Sequence, residues 1–168
     1  MKLPDTFSDE MNLHAIIETP RGSRNKFNYD EKLNLFKLKK VFPPGTSLPF
    51  PMGFIPQTKG EDGDPLDVFV LTEDDTYPGC LIETRVIGIL KARQTGVNDK
   101  LIRNDRFLAV PIASKELEGI IEVSQYDQQK LQSIIDFCVY YNTYEGKYFE
   151  VTGIGDSEEA LACIRDGM

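Results

Sequence analysis

The sequence has no tryptophan, a single histidine (His14) and only three cysteines, Cys80, Cys138 and Cys163. The cysteines are far apart, odd in number and without CxxC spacing, so neither a disulfide framework nor a zinc site of the usual ligand pattern is expected. A Ser-His-Asp or Cys-His mechanism would have to run through His14 alone. No apolar stretch approaches the roughly 20 residues of a membrane span. Residues 1–10 lack the basic start and apolar run of a signal peptide, which makes the cytoplasm the expected location. Basic charge is also scarce: 19 Lys and Arg face 27 Asp and Glu, a formal net charge of −8. That balance argues against nucleic-acid binding, which calls for a basic surface or stripe.

What remains fits one domain over residues 1–168, long enough to bury a core without disulfides. Residues 12–18 read as a short apolar strand. Residues 26–30 and 33–38 alternate polar with apolar or aromatic side chains and suit a hairpin of two half-buried strands. Five prolines (Pro43, Pro44, Pro49, Pro51 and Pro56) exclude a helix over 43–56 and predict an irregular, rigid segment. Apolar strands follow at 68–71, at 80–91 with Gly88 as a candidate bulge, and at 107–112; residues 94–105 read as polar and turn-like. Residues 124–142 contain no Gly or Pro. Leu131, Ile134, Ile135, Cys138 and Tyr141 fall on one helical face there, with Ser124 as the candidate cap. A strand over 147–152 and a short helix capped by Ser157 complete the chain. Many strands first and helices late predict an α+β fold, a small β barrel with helices packed outside it.

Charge is unevenly placed. Residues 21–40 carry Arg21, Arg24, Lys26, Lys32, Lys37, Lys39 and Lys40 against only Asp30 and Glu31. Residues 61–75 carry Glu61, Asp62, Asp64, Asp67, Glu73, Asp74 and Asp75 and no basic side chain. One block suits an anion, the other suits cations.

Within the acidic block, Asp62, Asp64 and Asp67 stand at i, i+2 and i+5. Gly63 permits backbone angles that other residues avoid, and Pro65 prevents a regular strand. Three carboxylates are therefore expected to project from one turn toward a common space. Their mutual repulsion is relieved by a divalent cation, and a chain with one His and no clustered Cys offers oxygen ligands, which suit Mg²⁺. The spacing does not match an EF-hand loop, and no GxxxxGK[ST] loop is present.

Asp62-Gly63-Asp64-Pro65-Leu66-Asp67-Val68 resembles the signature of the family I soluble inorganic pyrophosphatases. Glu18-Thr19-Pro20, Gly53-Phe54-Ile55-Pro56 and Asp105-Arg106 before Leu108-Ala109-Val110-Pro111 agree with the same family, over about residues 14–150. The resemblance implies a five-stranded, OB-like closed barrel and hydrolysis of pyrophosphate to two phosphates with two or more Mg²⁺ ions, Mn²⁺ being an alternative. It implies Asp62, Asp67, Asp105 and Glu18 as metal ligands and Asp64 as the acceptor of the water's proton. Lys26, Lys40, Arg106 and Tyr141 are implied as phosphate ligands, with Tyr140 replacing Tyr141 under a one-residue gap. It also implies a homo-oligomer, a hexamer among bacterial members.

The pattern is departed from in several places. Asn28 stands where a second acid is usual, Lys40 where an arginine is, and Leu48 and Met52 where tyrosines are. Gln94 replaces an aspartate, Arg106 a lysine and Asn142 a lysine. The last metal aspartate falls on Asn104 or on Asp105, according to register. Two other readings follow from these changes: hydrolysis of a different phosphoanhydride in a more apolar pocket, or a module that binds metal and phosphate without turnover.

Overall fold

The computed structural model describes residues 2–96 and 99–168; Val97 and Asn98, part of the stretch expected to be turn-like, lie outside the described residues. The strands are β1 (Asn12–Thr19), β2 (Asn25–Asp30), β3 (Leu35–Val41), β4 (Met52–Phe54), β5 (Asp67–Val70), β6 (Leu81–Thr95), β7 (Leu101–Arg103), β8 (Arg106–Pro111) and β9 (Phe149–Gly155). The helices are α1 (Gln128–Tyr144) and α2 (Ser157–Asp166).

Seven strands form one mixed sheet in the order β1-β4-β5-β8-β6-β7, with β9 also on β6, and β2 and β3 form a separate hairpin. Because β6 pairs with β1 as well, the path β1-β4-β5-β8-β6 returns to its start. Five strands thus make up the ring, and the sheet as a whole has seven. The long β6 runs past the ring and collects β7 and β9 on its C-terminal half. All pairings are antiparallel except β5 with β8. The pairing of β6 with β8 slips between Val86 and Gly88, where the bulge was expected.

β5 and β8 are apolar on both faces because both faces are covered. Val68, Val70, Phe107 and Ala109 join one core, which packs against Ala160 and Ile164 of α2. Phe69, Leu71, Leu108 and Val110 join the other, which packs against Leu131, Ile134, Cys138 and Tyr141 of α1. The period-2 alternation of the strands therefore assigns one helix to each face.

The proline-rich segment contains β4, a strand that its proline density concealed. Pro51 precedes it, and Met52, Gly53 and Phe54 pair with both β1 and β5. Gly53 is required there: a Cβ would lie 1.9 Å from the Ile16 carbonyl oxygen of β1. Leu48 and Met52 are buried in the α1-side core. Helix α1 begins later than expected and is capped by Asp127, whose carboxylate accepts the Gln129 and Lys130 backbone N–H groups at 2.9 and 3.2 Å. Ser124 lies in a short 3₁₀ turn, Val123–Gln125. Likewise Asp156, not Ser157, caps α2, accepting the Glu159 N–H at 2.9 Å. Among the described residues, no helix is long and apolar enough to cross a membrane.

Candidate active site

Glu18 is near the C-terminal end of β1 and is 5% exposed. Its Oε1 accepts the Tyr29 backbone N–H at 2.6 Å, and Thr19 beside it exchanges hydrogen bonds with the backbone of Phe27 at 3.0 and 3.1 Å. These side-chain links dock the β2–β3 hairpin against β1. Burial raises the Glu18 carboxyl to about pH 7 against the pull of the Tyr29 N–H, with repulsion from Asp67 and Asp64 acting in the same direction as burial. Uncompensated, such a group resists ionising.

The hairpin carries the cations. Lys26 and Lys40 are directly opposed across β2 and β3. Both ammonium groups lie over the Tyr141 ring, 5.9 and 5.2 Å from its centroid. That ring is fixed by edge contact with Phe42 and stacking on Phe137. Burial lowers the Lys26 pKa. Burial also works against the charged form of Lys40, but hydrogen bonds to Glu145 and Tyr141 outweigh it and raise its pKa. Glu145, the C-cap of α1, forms an ion pair with Lys40. No periodicity in the sequence marks this partner, 105 residues away. Of the two tyrosines, Tyr141 faces the lysines, whereas Tyr140 is half exposed.

The acidic turn rises opposite. Gly63 takes φ +88°, closing the turn with its N–H on the Gly60 carbonyl at 3.1 Å. Asp62 Oδ1 accepts the Asp64 N–H at 3.1 Å. Asp67 opens β5, in register with Arg106 at the start of β8, and Arg106 reaches Asp67 Oδ2 at 2.7 Å. Burial raises the pKa of Asp62, and the charges of Asp67 and Asp64 add to that. A cavity of about 370 Å³ lies beside the turn, with Asp62, Asp67, Asn104 and Cys163 in its wall.

The three aspartates do not converge on one point as their spacing predicts. Among the described residues, no three carboxylate, imidazole or thiol groups come close enough to hold one ion. Two of the acids are engaged by neighbours: Arg106 pairs with Asp67 Oδ2, and Asn104 donates to Asp62 Oδ2 at 3.1 Å. Of the two registers open in the sequence, it is Asn104 that faces the acidic turn. The Asp105 carboxylate accepts the Ala92 N–H at 2.9 Å and pairs with Arg103, and Asp105 lines the same cavity as Asp62 and Asp67. Arg106 sits on Asp67 and on the carbonyls of Asn104 and Asp105, near enough to Lys26 for its charge to lower the pKa of that ammonium. Asn28 keeps a buried carbonyl oxygen that accepts no hydrogen bond.

The arrangement gathers four carboxylates, Glu18, Asp62, Asp64 and Asp67, near Lys26, which shares the Tyr141 ring with Lys40. The donor set is oxygen only, and its buried, mutually repelling acids suit a hard divalent cation. A family model described as inorganic pyrophosphatase matches residues 15–168. The chain belongs to the inorganic pyrophosphatase family. The inorganic pyrophosphatase of Haloferax volcanii is 36% identical over 157 residues, covering 93% of this chain and 86% of the relative. That of Geobacillus stearothermophilus is 34% identical over 154 residues, covering 92% and 90%. The crystal structure of the inorganic pyrophosphatase from Thermus thermophilus superposes with a TM-score of 0.89 at 33% identity, covering 99% of this chain and 94% of that one. Pyrophosphatase membership implies a divalent-metal requirement.

Proposed function

We propose that this chain, as a single domain over 1–168, hydrolyses inorganic pyrophosphate to two phosphates in the cytoplasm, with Mg²⁺ as its ion and Mn²⁺ as a substitute. The observation that carries this is the meeting of the two charge blocks: the charges of Asp67 and Glu18 act on Lys26, which shares the Tyr141 ring with Lys40. A bound divalent ion supplies a water of lowered pKa and a clamp for phosphoryl oxygens. Asp62, Asp67 and Glu18 would share two or more such ions, no three of them on one.

The protein's own groups do the rest. Asp64 accepts the proton of the attacking water as its oxygen bonds to one phosphorus. The bridging P–O bond breaks and its electron pair leaves on the second phosphate. Lys26 and Lys40 neutralise the charge that develops there, and the Tyr141 hydroxyl orients the same oxygens. Arg106 acts on this reading through Asp67, whose charge it balances, and Asp105 acts through Arg103 at the edge of the site. No covalent nucleophile enters, in keeping with His14, whose ring is engaged with the Asp5 backbone carbonyl at 2.7 Å. We read the ring of β1, β4, β5, β8 and β6 as the closed OB-like barrel of the family, and the assembly as a homo-oligomer, a hexamer by family likeness.

A pocket wall made apolar by Leu48 and Met52 would favour another phosphoanhydride, but both side chains are buried in the core at 1% and 5% exposure, so they make no such wall. The test is phosphate release from pyrophosphate with Mg²⁺ by purified protein. Turnover well above that of an Asp67→Asn control is expected; equal rates for the two would refute the reading.

A further inference from the structure

Asn104 and Arg106 connect two acids that the proposed function treats as metal holders. Asn104 donates its amide N–H to Asp62 Oδ2 at 3.1 Å and receives Arg106 on its amide oxygen. Arg106 then reaches Asp67 Oδ2 at 2.7 Å. The result is one continuous chain, Asp62–Asn104–Arg106–Asp67. Its central cation has little freedom. The Arg106 side chain is 9% exposed, its Nη1 also contacts the Asn104 and Asp105 carbonyl oxygens at 3.1 and 3.0 Å, and its guanidinium lies over the Phe149 ring at 5.7 Å. A planar guanidinium locked this way is a fixed charge, not a mobile arm.

The charge balance of the site changes accordingly. Arg106 offsets part of the negative charge of Asp62, Asp64 and Asp67 before any ion enters, whereas Lys40 is already paired with Glu145. The bridge also occupies one oxygen of each of the two acids.

We propose that Asn104 and Arg106 are positioning residues that form a built-in clamp between Asp62 and Asp67, doing at this spot what a cation does. The substrate-free protein then takes up divalent ions weakly, and most of the metal enters together with the anionic substrate, whose oxygens complete its coordination. This inference rests on the reading of Asp62 and Asp67 as metal holders.

The test is the free-Mn²⁺ signal in electron paramagnetic resonance on chelator-treated protein, with and without inorganic phosphate. Asn104→Asp replaces the amide bridge by a fifth carboxylate and is expected to tighten Mn²⁺ binding without phosphate about tenfold, the ratio that corresponds to 1.4 kcal/mol. Arg106→Lys keeps the charge but loses the planar guanidinium whose Nη1 meets both Asn104 and Asp67, and is expected to tighten binding about threefold, less than Asn104→Asp. Adding phosphate is expected to tighten Mn²⁺ binding to the unaltered protein. A purely structural role would give unchanged or weaker binding in both variants, and that result overturns the clamp. Phosphate release from pyrophosphate is measured on the unaltered protein in parallel. No turnover together with a tightened Asn104→Asp variant refutes the proposed function and leaves the clamp standing; turnover without tightening refutes the clamp alone.

Discussion

The two halves of the site are built in opposite ways. The acidic half comes mainly from one turn: Asp62, Asp64 and Asp67 lie within six residues, shaped by Gly63 and Pro65 and anchored by the first residue of β5. The basic half is assembled from β2, β3 and the end of α1, and its geometry depends on the aromatic packing of Tyr141 with Phe42 and Phe137. Local backbone chemistry sets the position of the acids; the hydrophobic core sets the position of the cations. Damage to the first half should therefore remove activity and spare stability, whereas damage beneath the second should remove both.

The largest effect is expected at Asp67. Asp67→Asn should lower kcat for pyrophosphate by about 10²–10³, the size typical of losing one electrostatic group, with a loss of stability smaller than that of Tyr141→Ala because the amide oxygen still accepts from the buried Arg106. A collapse of stability in that variant would erase the contrast between the halves. Tyr141→Ala should cost about 3 kcal/mol of unfolding free energy through the cavity it leaves among Phe42 and Phe137, read in urea titration, and should lower activity as well. Tyr141→Phe keeps the ring and should cost far less stability while still weakening pyrophosphate affinity. Equal stability losses in the two variants would mean that the hydroxyl, not the ring, supports the lysines.

Glu18 sharpens the comparison through pH. Its folded pKa, about 7, lies above the ordinary glutamate value of 4.5. The folded state therefore holds this proton more tightly than the unfolded one. The stability so gained is complete below pH 4.5 and is lost as pH rises through 7. Each pH unit in that window is worth about 1.4 kcal/mol, so chelator-treated protein should lose about 2 kcal/mol between pH 5.5 and 7. Glu18→Gln should flatten that slope. An equally steep slope in the variant would assign it to another group. The smallest effect concerns the helix that carries Tyr141: Asp127→Ala should cost about 1 kcal/mol as a lost cap, and Ser124→Ala almost nothing.

That last pair shows where sequence reading succeeds and where it stops. The apolar face of α1 was legible because helical periodicity repeats over four turns, but its start was not, since Ser124 and Asp127 are both good caps and only packing chooses between them. β5, β6 and β8 announced themselves as apolar runs. β4 did not, because three residues among prolines carry no periodic signal, and its pairing depends on a glycine passing close under Ile16. β7 is equally short, and its residues, Leu101, Ile102 and Arg103, sit in a polar stretch. In the site, the acids were legible as a motif. Their partners were not: Asn104 and Asp105 differ by one register step, and only the pairing of β8 turns one toward Asp62 and the other toward Ala92. Glu145 meets Lys40 across 105 residues, a contact that no local pattern encodes.

The parallel pairing of β5 and β8 carries one more consequence. Its first rung sets Asp67 beside Arg106. A slip of a single step would put the carboxylate against Phe107 or bring Asp105 toward it, leaving a half-buried charge unanswered and exchanging the side chains that β8 gives to the two cores. Misthreaded chains are thus penalised twice, once by oil and once by charge. The same rung that shapes the reaction centre also proofreads the folding of the strands that hold it.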